Sequence, residues 1–386
     1  MTEQEGRLRH AEEETLSGED NNIRFHDLLY RHTLEALSIT TQWLPDVTRP
    51  EGEDYSLHRL ILGTHSGFNQ QNYLLIAGVQ VSHKKYYELD DRAPVKLNIE
   101  MKINHYGNVN KACYNPQNPC LIATYNSSND VLVFDWTKQP SVPDPSRNCT
   151  PELILKGPTQ DGYGLSWNPI LNGRIISASN DTTICLWDIN TTPTQGGIID
   201  AMTIFREHIS CVNYVAWHPS HQTMFGSAAD DKRCIIWDTR LSHSSHVVHS
   251  HSSEVNCLSF NPSREYILAT ASTDETLAVW DIRYLSRKLY SIGTYQDVNY
   301  QVHWSPHNEK VLASSGTDKF LYLWDLSNVN QSPLVDVIRC EHGGDIFASS
   351  WNLNVPWLIS SVSANSYLNI WQSAENDYQQ SLNVVH

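Results

Sequence analysis

An aromatic residue, usually opening an Asn-Pro-like pair, recurs six times in the 386-residue chain, and a Trp or Phe stands 20 residues after each. The first members are Tyr114, Trp167, Trp217, Phe260, Trp304 and Trp351, and the second are Phe134, Trp187, Trp237, Trp280, Trp324 and Trp371. Successive units are 53, 50, 43, 44 and 47 residues apart. Fixed inner spacing with variable outer spacing means one supersecondary unit repeated, with loops absorbing the differences in length. A period of this size closing on Trp-Asp is that of a four-stranded β-propeller blade. Such an array uses nearly the whole chain as one closed ring. Three further strand-like runs, His58–Gly63, Tyr73–Val81 and about Lys96–Ile103, supply a seventh blade. The expected fold is therefore all-β, a seven-bladed propeller closed by pairing between the two chain ends.

Each repeat carries a polar set at fixed offsets. Six residues before the closing aromatic stand Asp181, Asp231, Asp274 and Asp318, with Ser128 and Asn365 in the other two repeats. Nine residues before the opening aromatic stand His105, His208, His251 and His342, with Pro158 and Tyr295 in the others. A turn Asp accepts from backbone N–H groups that would otherwise lack partners. The His is expected to reach that Asp and a Ser or Thr, fixing strand register. Recurrence once per blade makes these pairs structural, not catalytic. The closing residues Trp187, Trp237, Trp280 and Trp324 read as blade core.

Residues 1–22 read as an acidic, disordered tail. Phe25, Leu28, Leu29 and His32 fall at i, i+3, i+4 and i+7, which predicts a helix within 23–41. The propeller then spans 42–375 and a short tail 376–386. The net charge of −16 argues against bare nucleic acid as a partner and suits a basic peptide. No apolar stretch approaches transmembrane length, and the acidic start lacks a signal-peptide core. The eight cysteines are scattered without a CxxC pair, as expected of reduced thiols in an intracellular protein. His243, His246, His249 and His251 cluster in a Ser-rich connection. They are read as structural or solvated rather than as a metal site, and no cofactor or metal is expected. No nucleotide-binding loop, nucleophile elbow or HExxH motif occurs.

Several strings are more specific than a generic repeat. Gln42-Trp-Leu-Pro-Asp-Val-Thr-Arg-Pro50, Leu62-Gly-Thr-His65, Pro116-Gln-Asn-Pro-Cys120, Gly162-Tyr-Gly-Leu-Ser-Trp-Asn-Pro169 and Glu254-Val-Asn-Cys-Leu-Ser-Phe-Asn-Pro262 resemble the retinoblastoma-binding, histone-binding WD-repeat proteins. The likeness runs over about residues 24–375. It implies a non-enzymatic, nuclear (and secondarily cytoplasmic) scaffold whose partners are core histones and the subunits of chromatin assembly, histone-modifying and Polycomb-type complexes.

The resemblance also implies two histone sites. One is a groove for a histone helix between the N-terminal helix and a loop of the late blades. Phe25, Asp27, Leu28 and Leu29 match there, but the loop Asn328–Asp336 lacks the family's acidic insertion and keeps only Pro333 and Asp336. The other is the top face, where carboxylates hold a basic tail. The six matching positions are Asn69, Asn108, Asp161, Asn213, Val298 and Ala364, so one acid of six remains. Asn110, Lys111, Tyr163, Asp230, Asn256 and Tyr300 match neighbouring contact positions. Ala36-Leu37 replaces a Trp-Pro pair. The chain thus resembles a diverged member with a weakened grip on basic tails. A rival reading keeps the scaffold without histone-tail binding. Another is a ubiquitin-ligase substrate receptor, because Trp187-Asp-Ile-Asn190, Trp237-Asp-Thr-Arg240 and Trp280-Asp-Ile-Arg283 resemble or match a Trp-Asp-x-Arg docking box.

Overall fold

The computed structural model describes residues 28–67, 70–82, 95–143, 149–241, 243–293, 298–327 and 336–372. They form seven sheets. Blade 1 comprises Ser38–Thr48, Tyr55–Thr64, Asn72–Ser82 and Val95–His105. Blade 2 comprises Val109–Asn115, Asn118–Asn126, Val131–Asp135 and Leu153–Lys156, with Ile198–Asp200 added parallel at its edge. Blade 3 is Gly164–Trp167, Arg174–Ala178, Ile184–Asp188 and Thr203–Phe205. Blade 4 is Val212–Trp217, Met224–Ala229, Arg233–Asp238 and His246–His249. Blade 5 is Val255–Phe260, Ile267–Ser272, Thr276–Asp281 and Tyr290–Gly293. Blade 6 is Asn299–Trp304, Val311–Gly316, Phe320–Asp325 and Asp336–Glu341. Blade 7 is Ile346–Trp351, Leu358–Ser363 and Tyr367–Gln372, completed by Leu28–Thr33 from the other end of the chain.

Blade strands are buried on both faces, which is why they read as near-continuous apolar runs. Alternate residues then serve different interfaces. In blade 3, Ile175, Cys185 and Trp187 pack with blade 2, whereas Ile176, Ile184 and Leu186 pack with blade 4. One core cluster fills each interface between neighbouring blades around the ring.

The expected helix is corrected where the structure describes it. Residues 28–33 form a strand antiparallel to Tyr367–Gln372, and Ser38–Thr48 is a second strand. Residues 23–27 and the two expected tails, 1–22 and 376–386, lie outside the described set. Short apolar runs fit either period, and here ring closure decides. Without Leu28–Thr33 the last blade would present an unpaired edge. The rings of Tyr30 and His32, two residues apart, stack at 6.2 Å on one face. Arg31, on the other face, sits over Tyr367 and donates to Asn369 Oδ1 at 3.1 Å.

Pro45 does not end the segment as its sequence suggests. It lies in the irregularity between Trp43 and Val47, where the ladder to Tyr55–Thr64 skips pairs and its missing N–H costs nothing. Trp43 is buried, and its indole N–H donates to Ser350 O at 3.1 Å, binding blade 1 to blade 7.

Candidate functional site

The inner strands begin at one face of the ring, and there the ladder repeatedly slips. In blades 2, 4, 5, 6 and 7 the register shifts across Val109/Lys111, Val212/Tyr214, Val255/Cys257, Asn299/Gln301 and Ile346/Ala348. The residue left out of each pair is Asn110, Asn213, Asn256, Tyr300 or Phe347. A bulge re-aims its side chain and bends the strand. Three of these five, Asn110, Asn256 and Tyr300, are top-face positions singled out in the sequence. Blade 3 achieves the same by close approach. A Cβ on Gly162 would stand 2.0 Å from Ala178 O, and one on Gly164 would stand 2.7 Å from the Ala178 Cβ. Tyr163 between them is 44 % exposed.

Asparagine amides hold the rim together. Asn110 donates to Gly162 O at 3.2 Å and to Asp161 at 3.4 Å, and Asn180 donates to Asp161 at 3.0 Å. Asn213 donates to Asp230 at 2.7 Å and to Val255 O at 3.1 Å, linking blades 4 and 5. Asn108 is buried, accepting from Asn72 at 3.1 Å and from the Gly67 N–H at 3.3 Å. Asn69 lies outside the described residues.

The rim carries two carboxylates that the sequence reading missed. Glu254 and Asp345 each stand immediately before the first residue of an inner strand and are partly exposed. Hydrogen bonds from Ser253 and Thr273 hold the Glu254 carboxyl at about 2. Asp345 accepts the Ala364 N–H at 2.8 Å through its backbone carbonyl. Its carboxylate helps raise the Tyr300 pKa, after burial. Tyr163 is likewise raised by burial and then by Asp161. Tyr300 stacks on Phe347 at 6.1 Å. The signal for the missed acids was their place one residue before a Val or Ile that opens the inner strand.

Below the rim the sign reverses. Lys111, Tyr214, Cys257 and His303 come from inner strands of blades 2, 4, 5 and 6. Blades 2 and 4 are not neighbours, so their side chains meet only in the middle of the ring. The Lys111 ammonium lies 5.5 Å from the Tyr214 ring centroid, and burial lowers its pKa. Burial, with the Lys111 charge, pushes His303 down to about 3. A cation in the channel repels a basic side chain that descends. A basic peptide is therefore favoured across the rim, not down the channel.

The helix-groove residues are not brought together among the described residues. Phe25, Asp27 and Pro333 lie outside that set. Leu28 and Leu29 lie in the closing strand of blade 7, and Asp336 starts the outer strand of blade 6.

The His and Asp residues that could imitate a catalytic pair are built into the blades. In blade 4, His208 lies 2.9 Å from Asp231 and 2.7 Å from Ser227, whose hydroxyl also accepts the Trp237 indole N–H at 2.8 Å. Blade 5 repeats this with His251, Asp274, Thr270 and Trp280. Asp181 accepts from the Thr159 and Thr183 N–H groups at 2.6 and 3.0 Å, and Asp318 accepts from the Phe320 N–H at 3.1 Å. The Trp324 indole N–H donates to Ser314 at 2.8 Å, and that of Trp187 to Lys156 O at 3.0 Å. Burial pushes Cys113, Cys185, Cys234 and Cys340 to about 12 and Cys257 to about 11, making them poor nucleophiles at neutral pH. Among the described residues no group of three His, Cys, Asp or Glu is placed to hold a metal.

Comparison with known families decides the lineage. Residues 15–83 match the family model for the histone-binding protein RBBP4 and its counterpart in the CAF1 complex. Residues 200–238, 242–281 and 288–325 match the WD domain, G-beta repeat. The chain belongs to the histone-binding WD-repeat family. Members of this family are generally non-catalytic. The matched repeats are staggered against the blades. Residues 242–281 contain the outer strand of blade 4 and the three inner strands of blade 5. The same stagger leaves blade 7 short of an outer strand, which Leu28–Thr33, inside the histone-binding match, provides.

Proposed function

We propose that this chain is a non-catalytic, nuclear scaffold within chromatin complexes that takes a basic histone segment across its top rim. The observation that carries this reading is the joint placement of Asp161, Asp230, Glu254 and Asp345 with Tyr163, Tyr300 and Phe347 at the inner-strand entries. Carboxylates supply charge-assisted hydrogen bonds to Lys and Arg, and tyrosine rings supply area and cation–π contact. The matching family segment at residues 15–83 supports histones as the source of that peptide. The rim keeps more acid than the six matching sequence positions imply, but its acids are spread over blades 3 to 7 and partly engaged by asparagines.

The histone-helix groove is proposed as a second contact, formed by Phe25, Asp27, Leu28 and Leu29 with Pro333 and Asp336. Calorimetric titration with a basic tail peptide and, separately, with a histone-helix peptide tests both sites. Absence of binding to either peptide at low salt overturns the histone reading and leaves the scaffold role alone. Affinity purification from nuclear extract identifies the complex.

A further inference from the structure

The opposite end of blade 5 carries a surface that the histone reading does not use. Strand Thr276–Asp281 starts at the Asp274 turn on the top face and ends at Asp281 on the other side of the ring. The segment that follows, Ile282-Arg-Tyr-Leu-Ser-Arg-Lys-Leu289, holds three basic residues and no acid, in a chain whose net charge is −16.

It is a built surface. The Ile282 N–H donates to Tyr266 O, the Tyr284 N–H to Asp281 O, and the Leu289 N–H to Val279 O, at 2.9, 2.9 and 2.8 Å. Ile282 and Leu285 pack inward on the core between blades 4 and 5. That leaves Arg283, Tyr284 and Arg287 facing out. Arg283 is fixed by Asp281 through its Nε at 2.9 Å and its terminal nitrogen at 2.6 Å, and it lies 4.3 Å over the Tyr266 ring. Tyr284 is 68 % exposed and Leu289 41 %. Asp281 balances Arg283, so Arg287 and Lys288 give the segment its excess charge. Glu265, in the neighbouring turn, is taken up by His221 at 2.6 Å.

We infer that this face of blade 5 docks an acidic peptide segment of a partner protein, one with an aliphatic or aromatic anchor between its carboxylates. Arg287 and Lys288 meet the carboxylates, and Tyr284 with Leu289 receives the anchor. A nucleic acid fits less well. It leaves the apolar side chains unused, and a polyanion meets the long-range repulsion of a strongly negative chain. Rigid Tyr and Arg side chains are the types that carry binding energy at small interfaces.

The test is fluorescence anisotropy with the full chain and three labelled probes: a short peptide of alternating Glu and Leu, an all-Glu peptide of equal length, and a single-stranded oligonucleotide. The Glu–Leu peptide binds most tightly and weakens with added salt. The double substitution Arg287→Glu with Lys288→Glu reduces its affinity by at least about tenfold, as reversal of rim charges does. Tyr284→Ala weakens it while leaving the salt dependence unchanged. All three positions are solvent-facing or partly so, and an unchanged melting temperature confirms that the variants fold. Equal binding by wild type and both variants overturns the proposal, as does preference for the oligonucleotide.

Discussion

The His251 Nδ1 lies 3.1 Å from both carboxylate oxygens of Asp274. Burial pushes His251 down to about 4, so it is neutral at physiological pH and donates its Nδ1 proton to the carboxylate. Its Nε2 then accepts from the Thr270 hydroxyl, which accepts from the Trp280 indole N–H. One proton on each atom satisfies the chain from turn to core. Replacing either His251 or Asp274 by Ala is expected to cost about 1–3 kcal/mol, the penalty of an orphaned buried polar partner. The double substitution should cost less than the sum, because the second loss removes a group already unpaired. Denaturant melts of the four proteins check this, and strictly additive losses contradict it.

Trp280 joins that network to the hydrophobic interface between blades 4 and 5. Trp280→Ala should destabilise by about 3–5 kcal/mol, the range for a truncated core aromatic. A thermal melt at the wild-type midpoint would show that the closing aromatics do not hold the blades.

The repeat made the blades legible because each must bury the same faces. Spacing alone located the four-residue network, since the same hydrogen bonds recur at the same offsets. Two things escaped. Leu28–Thr33 has no partner nearby in sequence, so only ring closure, more than 300 residues away, makes it a strand. Glu254 and Asp345 escaped because comparison with a family pattern asks which positions have changed. It does not ask which acids the bulge geometry brings to the rim.

Stability should fall on mild acidification. Burial lowers His105 and His251 to about 4 and His303 and His342 to about 3. Each takes up a proton near 6.5 when unfolded but stays neutral when folded. The unfolded state therefore binds more protons below that pH, and stability declines as pH falls from 6.5 towards 4, by up to ~1.4 kcal/mol per pH unit for each group. Asp274 acts lower. Burial raises it, but hydrogen bonds from Thr276 and Ser252 and the His251 partner outweigh that and hold it at about 2. Its contribution is present above 3.8 and is lost as pH falls towards 2. Melting temperature measured from about pH 7.5 to 4.5 checks the first window, and a flat curve contradicts it.

In the proposed side groove, Phe25→Asp should weaken binding of a histone-helix peptide by placing a charge against apolar surface. The propeller should stay folded, because the closing strand starts beyond it at Leu28. Wild-type affinity for this variant in calorimetry would remove the groove from the proposal.

The rim sets a sharper expectation for the basic tail. Asp345 and Asp161 are partly exposed and stand beside Tyr300 and Tyr163, so they can meet a cation without being buried themselves. Neutralising both, as Asp161→Asn with Asp345→Asn, should weaken tail binding by about tenfold and flatten its salt dependence, because screening acts only on charges that are present. Adding acid works in one place and fails in another. Ala364 lies next to Asp345 through its backbone N–H, so Ala364→Glu should strengthen binding and steepen the response to salt. Asn213→Asp should not, because its amide now donates to Asp230 at 2.7 Å, and two carboxylates at that distance repel. That substitution is expected to raise one of the pair's pKa values and loosen the link between blades 4 and 5, without gain in affinity. Titrations of the three variants with one tail peptide, at low and at physiological salt, separate these outcomes. Equal gains from Ala364→Glu and Asn213→Asp would mean that net charge, not the geometry of the rim, governs the interaction.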